Sequence, residues 1–175
     1  KCVGFLTGRL KTGTPPRLDK KSIDWTKTSV VRGDKNPTPF SYMTADFCPP
    51  NVPCHTIYTN SEAHSIIEKN KNRSPMFTGD INGTGPRYCP SIEDKIHRFV
   101  DRDSHLLFLE PEWKNSDQIY LNGFSTSLPE SVQLKALQQI SAFRNVRFLR
   151  PGYAIEYDFF PCLLYTSPSP RDRQE

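Results

Sequence analysis

Gly83-Thr84-Gly85-Pro86-Arg87-Tyr88-Cys89-Pro90-Ser91-Ile92-Glu93-Asp94-Lys95 changes character partway along its length. Two glycines and two prolines first hold the backbone in an irregular loop. Ser91 then offers a helix N-cap, with Asp94 at the N3 position, and Ile92, Ile96 and Phe99 recur on one helical face. The chain therefore enters a helix here from a stiff loop. This helix, set between strand-like runs on both sides, points to a mixed α/β fold.

Downstream, His105-Leu106-Leu107-Phe108-Leu109-Glu110 reads as a buried strand. Ser127-x-x-Glu130, with Pro129 in the first turn, predicts a second capping box and a helix to about Phe143, with Leu134, Leu137 and Ile140 as its apolar seam. Val146–Leu149 and Tyr153–Phe160 follow as strands. In the second, Tyr153, Ile155, Tyr157 and Phe159 alternate with Ala154, Glu156 and Asp158, which predicts one buried aromatic face. Upstream, residues 72–90 read as loop, and Asn60 or Ser61 caps a helix to about Lys71 on Ala63, Ile66 and Ile67. Residues 18–60 break into short apolar runs (Val30-Val31, Phe40–Met43, His55–Thr59) among turn formers, a small β-rich lobe. Residues 3–10 form a strand, and Lys11–Arg17, with Gly13, Pro15 and Pro16, a rigid cationic loop. From Pro161 the periodicity stops in a Ser/Pro/Arg tail, read as non-native or disordered.

The whole is 175 residues with 35% hydrophobic and 24% charged side chains, the balance of a globular chain. It begins at Lys1 without Met and runs straight into a strand-like segment, as a fragment of a larger protein would. No apolar run approaches the roughly 18 residues of a membrane-spanning helix. Proline is abundant, 16 against 9 glycines, so short elements and fixed turns are expected. Nine Lys and Arg against three Asp in residues 1–35 make this segment net +6 within a chain of net +4. Such a segment suits an anionic ligand or is simply a solvated face. Five cysteines (2, 48, 54, 89, 162) are an odd count with no zinc-type spacing, so neither a disulfide framework nor a metal site is read.

Cys89 stands two residues before the Ser91 cap, where free backbone amides, Arg87 and Lys95 favour a thiolate. It is a candidate nucleophile or an inert thiol in a turn; spacing leaves both open. Gly83-x-Gly85-x-x-Tyr88 lacks the third glycine and preceding strand of a dinucleotide fingerprint. Arg9, Lys11 and Arg17 could clamp phosphate or merely decorate a strand end. Glu156 and Asp158 are possible acid/base groups that by default face solvent. His55, His64, His97 and His105 have no evident partners.

Arg9–Arg17 (Arg-Leu-Lys-Thr-Gly-Thr-Pro-Pro-Arg), Gly85–Lys95 and Arg150–Asp158 (Arg-Pro-Gly-Tyr-Ala-Ile-Glu-Tyr-Asp), with Arg73–Met76 and Ser125–Pro129 between them, closely resemble the MnmG (GidA) family over residues 4–160. The resemblance implies a flavoenzyme that modifies C5 of the tRNA wobble uridine together with an MnmE-type GTPase. It uses FAD, NADH and methylenetetrahydrofolate, as a homodimer when intact, in a bacterial cytoplasm or a mitochondrion. Carried over, Cys89 is the catalytic thiol with Arg87 and Lys95 beside it. The dinucleotide-associated segment is Gly85, Pro86, Arg87, Tyr88, Cys89, Pro90, Ser91, Ile92, Glu93, Asp94, Lys95, Ile96, His97, Arg98 and Phe99. Arg9, Lys11 and Arg17 line a cationic RNA or active-site cleft.

The implied fold is a partial FAD/NAD(P)-binding Rossmann-like domain. Residues 1–18 and 85–160 belong to the flavin domain, residues 19–84 to an inserted β-rich lobe, and 161–175 to the tail. The family's N-terminal Gly-rich FAD fingerprint, its later flavin-contacting segment and its helical C-terminal part are not in these residues. The piece is therefore expected neither to bind FAD tightly nor to catalyse alone, and to expose apolar strand edges. Two other functions fit less of the motif: a folate- and FAD-dependent tRNA uridine methyltransferase, and a noncatalytic RNA-binding relative.

Overall fold

The computed structural model describes residues 7–78, 85 and 91–161. It is mixed α/β, as the sequence predicts, and its described strands form two sheets. A two-stranded ribbon pairs β1 (Gly8–Gly13) antiparallel with β8 (Ala154–Phe159). A six-stranded sheet runs β3 (Ser29–Val31), β4 (Cys54–Tyr58), β5 (Leu106–Pro111), β6 (Gln118–Asn122), β2 (Arg17–Asp19), β7 (Phe148–Arg150), with every neighbour antiparallel. This sheet draws strands from both sides of residue 84 and lies between residues 17 and 150 of the chain. The chain enters and leaves it through the ribbon.

Alternation positions the core. Leu107 and Leu109 of β5 and Ile119 and Leu121 of β6 are fully covered, with Leu109 opposite Leu121 and Leu18 opposite Ile119. Against this face pack Ala63 and Ile67 of α1 (Ser61–Asn70), Ile92 and Ile96 of α3 (Ile92–Arg98), and Val132, Ala136 and Leu137 of α4 (Glu130–Leu137) in one continuous cluster. Each such leucine, isoleucine or valine contributes about 1.5–3 kcal/mol by leaving water. Asn60 caps α1, its side chain accepting from the Ala63 amide at 3.0 Å, and Ser91 caps α3, accepting from the Asp94 amide at 3.3 Å. Both caps were legible.

Several expectations change. Lys11–Gly13 are strand rather than loop, because each residue finds a partner in Glu156–Ala154. Ser127 does not cap α4: the N-cap is Pro129, with no side-chain bond, and Ser127 is buried against Ser74 instead. The helix stops at Leu137, and Ser141–Phe143 form a separate 3-10 turn that still delivers Ile140 and Phe143 to the core. Residues 40–43 are an exposed bend, not a strand. A four-residue helix, α2 (Pro75–Thr78), and a 3-10 turn at Lys71–Arg73 interrupt the expected loop. Phe99 lies outside the core, and Tyr153, Tyr157 and Phe159 are each more than a third exposed, since no layer covers the ribbon among the described residues.

Candidate functional site

Of the Gly85–Phe99 segment, Gly85 and residues 91–99 are described; Pro86, Arg87, Tyr88, Cys89 and Pro90 lie outside the described residues. Ser91, Ile92, Glu93 and Ile96 face inward and are covered, while Asp94 and Lys95 are half-buried and His97, Arg98 and Phe99 exposed. The covered members hold the protein together and have no free surface for a cofactor. Among the described residues of the segment, Gly85 and Asp94 to Phe99, apart from Ile96, keep surface that could touch one. Lys95 donates from Nζ to the Gly123 carbonyl at 3.1 Å, which draws its stem against the β6 end. Arg98 pairs with Asp94 one turn back at 2.9 Å.

Glu93 is the centre of this region. Its carboxylate Oε1 accepts from Thr126 Oγ1 at 2.8 Å and from the Ser127 amide at 3.2 Å, while Oε2 is buried without a hydrogen-bond partner. Burial pushes its pKa up, and the donors from Thr126 and Ser127 offset only part of that. The carboxyl is thus held toward its neutral form. Thr126 in turn receives the Leu128 amide and donates its own amide to the Thr14 carbonyl, which brings β1 onto the same knot.

Gln133 of α4 completes it. Its Nε2 donates to the Leu128 and Gly152 carbonyls at 2.6 and 2.8 Å, and its Oε1 accepts from the Gly152 amide at 2.8 Å. Gly13 and Gly152 make the approach possible: a Cβ at Gly152 would meet the Thr14 carbonyl oxygen at 2.5 Å, and one at Gly13 the Thr126 backbone at 2.9 Å. These glycines are where β1, the 125–128 segment and the turn before β8 touch. The three stretches that carry the family resemblance, 9–17, 85–95 and 150–158, thus meet at one buried polar seam. Sequence reading missed Thr126, Gln133 and Ser74 as its members. Ser74 Oγ and Ser127 Oγ are 2.6 Å apart, and a lone serine or glutamine gives no spacing signal that could reveal it.

The cationic cleft does not assemble as one cluster. Arg9 binds Glu156 and Asp158, both at 2.7 Å, so its positive charge is taken up by two carboxylates across the ribbon. These bonds, Glu156 first, raise the pKa of the guanidinium. Lys11 shares the ribbon face with Arg9, opposite Glu156. Arg17 belongs to the other sheet, where it binds Glu112 at 2.9 Å and the Pro15 carbonyl and lies over the Tyr120 ring. Among the described residues no three His, Cys, Asp or Glu side chains gather to hold a metal ion, and no helix is long and apolar enough to cross a membrane.

An α/β piece whose resemblance motifs converge on one seam defines the class, and the comparisons define the family. The Glucose inhibited division protein A family model matches residues 1–166, and the chain belongs to that family. It is 56% identical over 162 residues to the tRNA uridine 5-carboxymethylaminomethyl modification enzyme MnmG of Christiangramia forsetii, covering 91% of this chain and 26% of that protein. It is 53% identical over 156 residues to the MnmG of Bacillus licheniformis, covering 89% and 25%. Aquifex aeolicus GidA superposes with a TM-score of 0.79 at 47% identity, over 90% of this chain and 28% of that one. The chain therefore spans about a quarter of the length of the relatives it matches.

Proposed function

We propose that the full-length protein to which these residues belong installs a carboxymethylaminomethyl-type group at C5 of the tRNA wobble uridine. The observation that carries this reading is the 56% identity to an MnmG enzyme over 162 residues, 91% of this chain. Uracil C5 is a weak nucleophile. Addition of the Cys89 thiolate to C6 places an enolate over C4 and C5, C5 then bonds to the incoming one-carbon unit, and loss of the C5 proton expels the thiolate. Arg87 and Lys95 keep the thiol ionised and steady the enolate oxygen. The buried seam at Glu93 supports the start of α3, from which the Cys89 segment departs.

FAD, NADH and methylenetetrahydrofolate supply the redox equivalents and the carbon in this proposal. The flavin-binding fingerprint is not among these 175 residues, so the covered residues of α3 serve as its scaffold rather than its ligands. An MnmE-type GTPase, the tRNA and a second copy of the subunit are the partners, in a bacterial cytoplasm or a mitochondrion. Residues 1–18 and 85–160 are assigned to the flavin domain around an inserted lobe at 19–84; the pairing of β1 with β8, where the chain leaves and returns, and the single sheet drawn from both sides of residue 84 favour a longer insertion, residues 14–153.

Nucleoside mass spectrometry of tRNA tests the reading in cells lacking their own enzyme and supplied with the full-length protein or its Cys89→Ala form. The C5-aminomethyl-type uridine returns with the first and not the second. Its return with both removes the thiol role. A methylated uridine at another position, with the wobble base unmodified, moves the reading to the folate-dependent methyltransferase.

A further inference from the structure

Residues 19–27 (Asp-Lys-Lys-Ser-Ile-Asp-Trp-Thr-Lys) and 141–150 (Ser-Ala-Phe-Arg-Asn-Val-Arg-Phe-Leu-Arg) are far apart in the chain and fold against each other. The Asp24 amide donates to the Ala142 carbonyl and the Asp19 amide to the Arg147 carbonyl, both at 2.9 Å. The Arg147 amide donates to Ser22 Oγ at 2.9 Å across a separation of 125 positions. Leu18 stands opposite Phe148 between β2 and β7, and Ile23, Ala142, Phe143 and Val146 are buried. The small and apolar members of the two stretches thus go to the core, and Lys21, Lys27, Arg144, Arg147 and Arg150 stay exposed.

The two stretches hold six Lys and Arg against two Asp, net +4, which is the net charge of the whole chain; the other residues carry 17 charges of each sign. Elsewhere carboxylates answer the cations, as Glu156 and Asp158 answer Arg9 and Glu112 answers Arg17. Here they are too few. Asp19 meets Arg147 at 2.7 Å, Asp24 meets Lys27 at 3.3 Å, and Asp117, brought in from the turn before β6, meets Lys21 at 3.5 Å. With all three counted, the face keeps net +3. Lys21, Lys27 and Arg144 line one hollow of about 320 Å³ between the stretches, together with Ser22, Ser141 and Asn145. A concave surface of one sign focuses its field on ligands of the other, and Lys, Arg, Ser and Asn are the side chains that hold phosphate oxygens.

We propose that this face docks the sugar-phosphate backbone of a folded RNA, with phosphates over the hollow at Lys21, Lys27 and Arg144. A free anion would need the hollow alone, whereas a run of phosphates also meets Arg147 and Arg150, which continue the same stretch outside it. Contacts of this kind set the position and orientation of the RNA and read no sequence. Which RNA it is, a tRNA, rests on the uridine-modifying reading; charge alone carries the phosphate contact. No residue of the Cys89 region takes part.

The test is fluorescence anisotropy of a labelled, unmodified tRNA transcript with the full-length protein over a series of KCl concentrations. The triple change Lys21→Gln, Lys27→Gln and Arg144→Gln should weaken binding about tenfold or more and flatten the plot of log affinity against log salt by about one unit per cation lost. Arg144→Gln alone should remove about one unit, which keeps the test open if the triple variant does not fold. An RNA duplex of unrelated sequence should lose affinity by the same factor. Lys69→Gln, Lys114→Gln and Lys135→Gln together take as much charge from exposed positions elsewhere and should leave the slope as it is. An unchanged slope in folded Arg144→Gln, an equal loss in the Lys69, Lys114 and Lys135 variant, or a loss of GTPase binding with tRNA affinity kept overturns the assignment. Wobble-uridine analysis of the same proteins separates the two readings. If the wild type leaves the uridine unmodified and the slope still falls, the face stands and the uridine-modifying reading fails; if the wild type modifies it and the slope does not fall, only the face fails.

Discussion

The six-stranded sheet and the β1–β8 ribbon obey the same alternation and end in opposite states. In β5 and β6 every second side chain is sealed under α1, α3 and α4: Leu107, Leu109, Ile119 and Leu121 have no accessible surface. In β8 the same period leaves Tyr157 and Phe159, and Tyr153 just before it, at 41, 37 and 42% exposure. Alternation tells which residues share a face; burial needs a second layer, and the described residues supply one for the sheet alone. The ribbon is held by ladder bonds and by the Arg9–Glu156–Asp158 ion pairs, the sheet by its core.

The largest expected break in this comparison is Leu109→Ala, which should cost about 2–5 kcal/mol in urea unfolding. Tyr157→Ala in the ribbon should cost about 0.5 kcal/mol. Equal losses would show that the ribbon is packed as tightly as the sheet. Gly152→Ala drives a methyl into the Thr14 carbonyl and should cost about 1–3 kcal/mol by the same assay, because the seam joining ribbon to sheet cannot relax without breaking the Gln133 bonds.

The pH dependence separates two buried groups of opposite sign. Burial lowers the pKa of His64 and His105, whose rings lie 5.2 Å apart. The unfolded chain takes up these protons near pH 6.5 and the native one only at lower pH, so stability falls as pH drops below about 6.5. His64→Gln should flatten that fall in melting temperature between pH 7.5 and 5.5. For Glu93 the native pKa is raised, so the native state holds a proton the unfolded chain gives up, and stability is lost as pH rises through the native value. Glu93→Gln, an isosteric neutral amide, should remove that loss, seen as a melting temperature that no longer declines as pH rises above the ordinary carboxyl range. An unchanged decline would place the buried charge elsewhere. Smallest of all, Arg9→Gln should leave the denaturation midpoint within measurement error, as exposed ion pairs do.

Local signals were read correctly where the physics is local. The Asn60 and Ser91 caps, the helix over 61–70 and the strand beginning at Leu106 follow from side chains that satisfy their own neighbours' backbone. The signals failed where a distant partner won. Ser127 has the pattern of a cap, but Ser74 and Glu93 claim it, and Pro129 starts the helix unaided. Strand β6 went unread although Ile119 and Leu121 alternate with Gln118, Tyr120 and Asn122 in the sequence itself.

The sequence by itself determined the family, through long motifs in order, together with the α/β class and the residue types around Cys89. Only the tertiary structure decided that those motifs meet at Glu93, Thr126 and Gln133, that Arg9 and Arg17 are spent on separate carboxylates, and that Lys21, Lys27 and Arg144 line one hollow. Motifs are contiguous, so one dimension suffices to read them. Charge pairing and burial depend on groups up to 149 positions apart in the chain, and only folding brings those within bonding distance.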